Sequence, residues 1–262
     1  MPNRDTDRTT IQQFSHLLGN AGTIAFLTGA GMSTESGIPD FRSPSGLYAR
    51  RVSEAVFDVQ TFERTPEAFY DFAREFFPDL MGASPNAGHL AIVQLQEQFA
   101  KRVCVVTQNI DTLHQQAGSD PVYPVHGTME TVTCTRCGDE QYTDTIWGTV
   151  AAGRIPWHVK CNGVYKPDIV FFGEMLPAAT LMAAEKAMAA ADLLVVLGTS
   201  LTVYPASMLP SYRRSDCALV IVNQVPTDLD DQATLVFHDS IGNVLSRAMA
   251  ELGVMMANEE MV

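Results

Sequence analysis

The sequence of 262 residues predicts a doubly wound α/β fold, and three of its features carry that expectation: recurrent short apolar runs, helix-length segments between them, and polar, glycine-containing signatures after the runs. The runs at 23–27, 102–107, 168–172, 192–197 and 218–223 are rich in Val, Ile, Leu and Phe, as strands buried on both faces of a parallel sheet are. Between them, 86–99 reads as a helix with Leu90, Val93, Leu95 and Phe99 turned inward. The alanine-rich stretch 178–191 reads as a second covering helix. Alternating strands and helices imply a parallel sheet with crossover helices, so the main body is expected to be Rossmann-like.

Two stretches interrupt the alternation, and neither contains an obvious sheet strand. The first, 43–85, has an aromatic-rich helix around Phe69, Tyr70, Phe72, Phe76 and Phe77. The second, 129–165, holds the pair Cys134 and Cys137 together with Trp147 and Trp157. The expected organisation is a large domain of 1–42, 86–128 and 166–262, with 43–85 and 129–165 forming a smaller inserted domain. A chain of this length accommodates such a body and satellite.

Composition narrows the function classes. Hydrophobic residues make up 46% and charged residues 18%, with no repeated or low-complexity segment, as expected of a globular protein. Seventeen basic and thirty acidic residues leave a formal charge of −13 with the acids scattered, which disfavours nucleic acid and suits lysine-rich protein partners. The first residues carry charges rather than a signal-length apolar run, and no apolar stretch is long enough for a membrane span. A cytoplasmic protein without membrane attachment is expected, and a monomer is compatible with everything read here. Of five cysteines, Cys134 and Cys137 have metal-ligand spacing, whereas Cys104 and Cys217 sit in apolar runs as core thiols.

In open α/β sheets, ligands lie beyond the carboxyl ends of the strands. There this chain places Gly29-Ala-Gly31, 107–111, His126-Gly127, Gly173-Glu174, 198–200 and Asn223-Gln224. Gly29-Ala-Gly31 leaves room for a pyrophosphate to approach the backbone, with amides at the following helix start as donors, although a glycine pair after a strand is also an ordinary tight turn. A dehydrogenase fingerprint would have its third glycine at 34, where Thr34 stands, which argues against hydride transfer. Asp40, Phe41 and Arg42 follow instead. An aromatic face and a charge pair beside a dinucleotide suggest that a ring is screened or expelled.

The string GAGMSTESGIPDFRS at 29–43 resembles the cofactor loop of the sirtuins, and TQNIDTLH at 107–114 resembles their second signature. His126-Gly127, KPDIVFFGE at 166–174, GTSLTVYPA at 198–206 and Val222-Asn223 complete the family order. The resemblance implies an NAD-dependent protein-lysine deacylase. NAD would lie across the sheet edge, with nicotinamide near Phe41, Ile110 and Asp111. Gly29 and Gly31 would leave room for the cofactor at this loop, and Ala30, Thr34 and Arg42 would hold the diphosphate and nearby ribose. Gln108 and Asn109 would face the nicotinamide ribose, and Gly198, Thr199, Ser200, Asn223, Ser240 and Ile241 the adenosine half.

In the implied reaction the acyl-lysine oxygen attacks the ribosyl carbon, nicotinamide leaves, and the acyl group passes to ADP-ribose. His126 would serve as general base, with Asn109 and Asp111 beside it, because an imidazole combines base strength and correct protonation near neutrality. His16, His89 and His238 read as helix or loop residues, and His114 as packing or bonding to backbone. The acyl-lysine peptide would bind as an added strand, by main-chain hydrogen bonds, between Gly173-Glu174 on one side and Thr202-Val203-Tyr204 on the other, with the lysine stem in a tunnel lined by Phe172 and Val203. Relatives that favour acidic acyl groups carry Tyr-x-x-Arg in the small-domain helix. Here Ala73 follows Tyr70 at the arginine position and Arg74 is turned by about 100°, so uncharged acyl groups are expected.

Cys134 and Cys137 resemble the first half of the family's structural zinc site. The second half is ordinarily another Cys-x-x-Cys, but here it is His158-Val-Lys-Cys161. Cys134, Cys137, His158 and Cys161 make an acceptable tetrahedral set for one structural Zn²⁺. The alternative is a decayed site in which Trp147 and Trp157 pack the module. Two other functions stay open at this level: an NAD or ADP-ribose-binding regulator without turnover, and an ADP-ribosyl transferase.

Overall fold

A computed structural model describes residues 8–41, 46 and 53–259. In chain order the elements are α1 (Arg8–Asn20), β1 (Thr23–Thr28), α2 (Val59–Arg64), α3 (Pro66–Gly82), α4 (Ala87–Glu97), β2 (Arg102–Thr107), α5 (Leu113–Ala117) and β3 (Val122–Pro124). They continue with β4 (Gly127–Cys134), β5 (Glu140–Tyr142), α6 (Thr143–Ala151), β6 (Tyr165–Ile169), α7 (Ala178–Ala190), β7 (Leu193–Leu197), β8 (Ala218–Val222), β9 (Leu235–Phe237) and α8 (Ile241–Glu259). Among the described residues, no helix is long and apolar enough to cross a membrane.

Six strands form an all-parallel sheet in the order β3-β2-β1-β7-β8-β9. All five residues of β7 are buried, as a central strand covered on both faces requires. Helices α1, α4 and α8 cover one face through Phe14, Ile92 and Val244, while α7 and a 3₁₀ segment at Ala206–Tyr212 cover the other through Met188 and Leu209. Burial raises the Cys217 thiol and pushes Cys104 up to about 11, in keeping with inert core thiols.

A second, three-stranded antiparallel sheet, β5-β4-β6, packs with α2, α3 and α6 around an aromatic core that includes Phe62, Phe69 and Phe171. It corrects two expectations. The run 168–172 is no strand of the parallel sheet: its first residues belong to β6, paired to β4, and Phe172 then bridges to Asp58. The stretch 129–165 does supply strands, to this smaller sheet. An apolar run reads alike in either sheet because its neighbour lies far off in sequence.

Leu90 is a third correction, being 54% exposed. The buried face of α4 is set by Gly88, His89, Ala91, Ile92, Val93 and Leu95. Reading phase from apolar residues alone missed His89, which belongs inside. Asn86 accepts from the Gly88 and His89 amides, and His89 Nδ1 accepts from the Asn86 amide at 3.3 Å, closing a capping box.

His89 meets His114 with ring centroids 4.7 Å apart, both buried. Burial pulls His89 down to about 4 and His114 to about 3, the latter helped by the His89 charge. Both are therefore neutral in the native protein, whereas the unfolded chain takes up protons below 6.5. Their stabilisation is lost as pH falls from that value towards the folded pKa, by about 1.4 kcal/mol per pH unit and site. Thermal melts are expected to show a falling melting temperature from neutral pH to about pH 5. His89→Gln should flatten that slope, and an unaltered slope would exclude the pair as its source.

Candidate active site

A cleft of about 470 Å³ opens beyond the carboxyl ends of β1, β2, β7 and β8, between the two sheets. The loop after β1 reaches it by lying directly on the loop after β7. A Cβ on Gly29 would stand 2.7 Å from Thr199 Cβ, and one on Gly31 would stand 2.7 Å from Gly198 Cα. Gly198 itself has φ +62° and faces Gly31 equally closely. The Gly29 and Gly31 amides donate to the carbonyls of Leu197 and Gly198 at 3.0 and 2.8 Å. These glycines thus serve loop-on-loop contact, with their own N–H groups already engaged. The expected helix start is also replaced by 3₁₀ turns at Ala30–Met32 and Thr34–Ser36.

Gln108 Nε2 donates to Thr199 Oγ1 at 3.0 Å, tying the β2 loop to the β7 loop. Next to it Asn109 Nδ2 donates to Ser33 Oγ at 3.1 Å, and Ser33 Oγ donates to Asp111 Oδ2 at 2.7 Å. Asp111 Oδ1 accepts from the Leu113 amide at the start of α5. Burial raises the Asp111 pKa, against the lowering effect of those two hydrogen bonds. Ser33 received no role in the sequence reading although it lies inside the 29–43 string; its partners are the only signal, and they come from another strand end.

The floor of this loop is a hydroxyl chain. Asn109 N–H donates to Thr107 Oγ1 at 3.0 Å, the Thr28 hydroxyl donates to Thr107 at 2.8 Å, and His114 Nε2 meets Thr28 Oγ1 at 3.0 Å. With the Thr28 proton directed at Thr107, His114 Nε2 must carry the proton it shares with Thr28. Of the two roles expected of it, packing or a bond to backbone, His114 fills the first, its buried ring lying on His89, while its Nε2 bonds a side chain.

His126 is held from two sides. Its Nδ1–H donates to the Gln108 carbonyl at 3.0 Å, and its own carbonyl accepts from Val170 N at 2.9 Å. With Nδ1 protonated, the neutral ring keeps its lone pair on Nε2. Burial lowers the pKa, and the Gln108 hydrogen bond partly opposes that. Gly127 has φ +78°, and a Cβ there would fall 2.0 Å from the Asp168 carbonyl, so only glycine lets β4 leave His126 in this place.

The expected dinucleotide and peptide residues mostly share this cleft. Ala30, Thr34, Phe41, Ile110, Ser200, Asn223, Ser240 and Ile241 line it, as do Phe172, Gly173, Glu174, Val203 and Tyr204. Thr202 does not; its hydroxyl meets Ser200 Oγ at 2.9 Å. Arg42 lies outside the described residues. Phe172 is 44% exposed while Phe171 takes the core position, and the Phe172 backbone is already paired with Phe57 and Val59. Glu35, also unforeseen, accepts from the Gly242 amide at 3.0 Å and so brings a carboxylate to the α8 N-terminus.

At the far end of β4, Cys134, Cys137, His158 and Cys161 bring their ligand atoms within 4.8 Å of one another. His158 Nδ1 lies 3.1 Å from both Cys137 Sγ and Cys161 Sγ, and Cys134 Sγ lies 3.5 Å from Cys161 Sγ. One imidazole nitrogen cannot serve two thiols as a hydrogen-bond partner, whereas one cation satisfies all four donors. Gly163 completes the cradle, since a Cβ there would approach Cys134 Sγ to 2.6 Å. The cluster fits one zinc site with no open position, hence a structural one. Trp157 is 48% exposed and Trp147 stacks on Phe77, so the two tryptophans do not form a core in place of the ligands.

The model of the Sir2 family matches residues 29–205. An NAD-dependent protein deacetylase of Thermotoga maritima is 41% identical over 245 residues, covering 93% of this chain and 99% of that protein. One from Clostridium perfringens is 39% identical over 246 residues, covering 91% and 98%. A solved Sir2 structure with p53 peptide and NAD⁺ superposes with TM-score 0.86 at 40% identity, over 93% of this chain and 99% of that one. Another, with deacetylated p53 peptide and 3′-O-acetyl ADP-ribose, gives 0.87 at 41% identity, over 92% and 98%.

Proposed function

This chain belongs to the Sir2 family and is an NAD-dependent protein deacetylase, and within that activity we propose that His126 is the general base. NAD, as co-substrate, would supply the ribosyl carbon. The acyl-lysine oxygen bonds to it as the bond to nicotinamide breaks, His126 takes the ribose hydroxyl proton so that the adjacent oxygen attacks the acyl carbon, and water releases the lysine amine. The observation that carries the role of His126 is its Nδ1–H commitment to the Gln108 carbonyl, which leaves a lone pair on Nε2 of a cleft-lining ring. Beside it the Asn109–Ser33–Asp111 hydrogen bonds support a preorganised group that orients the nicotinamide half. Asp111 accepts from a carboxamide there, and Phe41 shields the reacting carbon from water. Gly198, Thr199, Ser200, Asn223, Ser240 and Ile241 hold the adenosine half, and Ala30 and Thr34 the diphosphate.

The strand order, 3-2-1-4-5-6 when the parallel strands alone are counted, supports a Rossmann-like large domain. The aromatic core supports a small domain formed by the described part of 43–85 and by 129–165, with β6 and Phe171 added to it. No lysine or arginine is among the described residues lining the cleft. The Tyr70 hydroxyl donates to the Tyr165 carbonyl, and Arg74 Nε donates to Val150 O at 2.9 Å. These commitments support a preference for uncharged acyl groups. The net charge of −13 supports an enzyme acting on protein rather than nucleic acid.

Incubation with an acetyl-lysine peptide and NAD is expected to yield nicotinamide, free lysine peptide and acyl-ADP-ribose in equal amounts by mass spectrometry. No nicotinamide release with any acyl peptide would leave a binding regulator. Peptide-independent labelling of protein from NAD would point to an ADP-ribosyl transferase.

A further inference from the structure

Glu174 is expected to meet the peptide through its main chain, and its carboxylate is held by the protein itself. Glu174 Oε2 accepts from the Phe171 amide at 2.7 Å and from Lys166 Nζ at 2.9 Å. The Glu174 amide in turn donates to the Phe171 carbonyl at 3.0 Å, so residues 171–174 form a turn closed by backbone and side chain together. Gly173, with φ +91°, occupies the left-handed position that such a turn demands.

Lys166 anchors the closure. Its ammonium also donates to the Ile169 carbonyl at 2.9 Å and the Pro167 carbonyl at 3.3 Å, which accounts for its three protons. It stands 4.3 Å from the centroid of the Phe171 ring, itself packed against Phe62 and Phe69 in the aromatic core. The side chains of the pair are 14% and 30% exposed, so water screens them only in part. Phe172 fastens the turn on its other side, donating to Phe57 O at 2.7 Å and accepting from Val59 N at 3.1 Å.

We propose that the Lys166–Glu174 ion pair is a positioning device: it locks the 171–174 turn so that the Gly173 backbone meets the incoming acyl-lysine peptide in a preformed geometry. The inference rests on the peptide path described above. A locked edge avoids the ordering cost that a loose turn would add at each binding event. It also has a consequence for specificity. Because Lys166 neutralises Glu174, that carboxylate does not select substrates with basic residues beside the acyl-lysine.

The test is steady-state kinetics of wild type, Lys166→Met, Lys166→Arg, Glu174→Ala and Glu174→Gln with two acetyl-lysine peptides, one flanked by alanine and one by arginine. Lys166→Met and Glu174→Ala are expected to raise peptide KM about fivefold or more, with kcat and the KM for NAD within about twofold. Glu174→Gln, whose amide oxygen still accepts from Phe171 N–H, and Lys166→Arg should fall between these and wild type. The arginine-to-alanine preference should be equal in wild type and Glu174→Gln. Unchanged peptide KM in both Lys166→Met and Glu174→Ala would overturn the proposal, as would selective loss of the arginine-flanked peptide in Glu174→Gln. A fall of kcat and a rise of both KM values, together with a lower melting temperature, would reduce the pair to a fold-stabilising contact and overturn it too. A wild-type enzyme inert towards every acyl peptide is a different result, which removes the peptide path itself.

Discussion

His126→Ala is expected to lose about 10²–10⁴-fold in kcat while binding NAD nearly as well as the wild type. The imidazole touches the protein through Nδ1–H to Gln108 O, and its backbone is held independently by Val170. Truncation therefore removes the Nε2 lone pair without releasing the strand. Gln108 keeps its side-chain bond to Thr199, and the Asn109–Ser33–Asp111 group is untouched. The pH profile gives a second reading. Burial lowers the His126 pKa, so the neutral, basic form persists below the ordinary value of 6.5. The acid limb of wild-type kcat/KM should thus lie below that pH and vanish from the residual activity of the alanine variant. Titration calorimetry with NAD and stopped assays with acetyl peptide check both. Full turnover in His126→Ala would refute the assignment of the base.

Removing one zinc ligand is the second large effect. The purified protein should contain one zinc per chain, and His158→Ala should lose most of it. Structural zinc contributes folding free energy directly. Forfeiting several kcal/mol of it in a chain of this size corresponds to a fall on the order of 10 °C in melting temperature. His158→Cys offers a sulfur in place of the imidazole and should retain both metal and stability. The damage should also reach the substrate side, because Cys134 ends β4 and β4 pairs with β6, which leads into the 171–174 turn. Peptide KM should therefore rise with metal loss more than the KM for NAD. Metal content well under one per chain, together with an unaltered melting temperature in His158→Ala, would show that the four residues hold no ion.

How much of this was legible beforehand differs between elements. The strands β1, β2, β7 and β8 could be read because each is a continuous apolar run bounded by polar turns. The edge strands β3 and β9 were missed: three residues carry no periodicity to detect. The phase of α4 was misjudged because a histidine, rather than another leucine, occupies its inner face. In the site, most residues of the recognisable strings were found, whereas Ser33 and Glu35, although inside the string at 29–43, were overlooked since their meaning lies in distant partners. Glu35 meets Gly242, and Ser33 meets Asp111.

The residue types and their order along the chain determined the α/β class and the family, and singled out the groups proposed for the chemistry: His126, Asn109, Asp111 and the four side chains of the metal cluster. These are local facts, written in runs, spacings and short strings. Tertiary structure alone decided what each group is joined to. It assigned the run at 168–172 to the small sheet and gave the glycine amides at 29 and 31 to protein carbonyls. It also joined the Glu174 carboxylate to Lys166. The physical reason is the range of the interactions. Hydrophobic periodicity is imposed by neighbours three or four residues away, whereas hydrogen bonds and ion pairs join groups that only the folded chain brings within 3 Å.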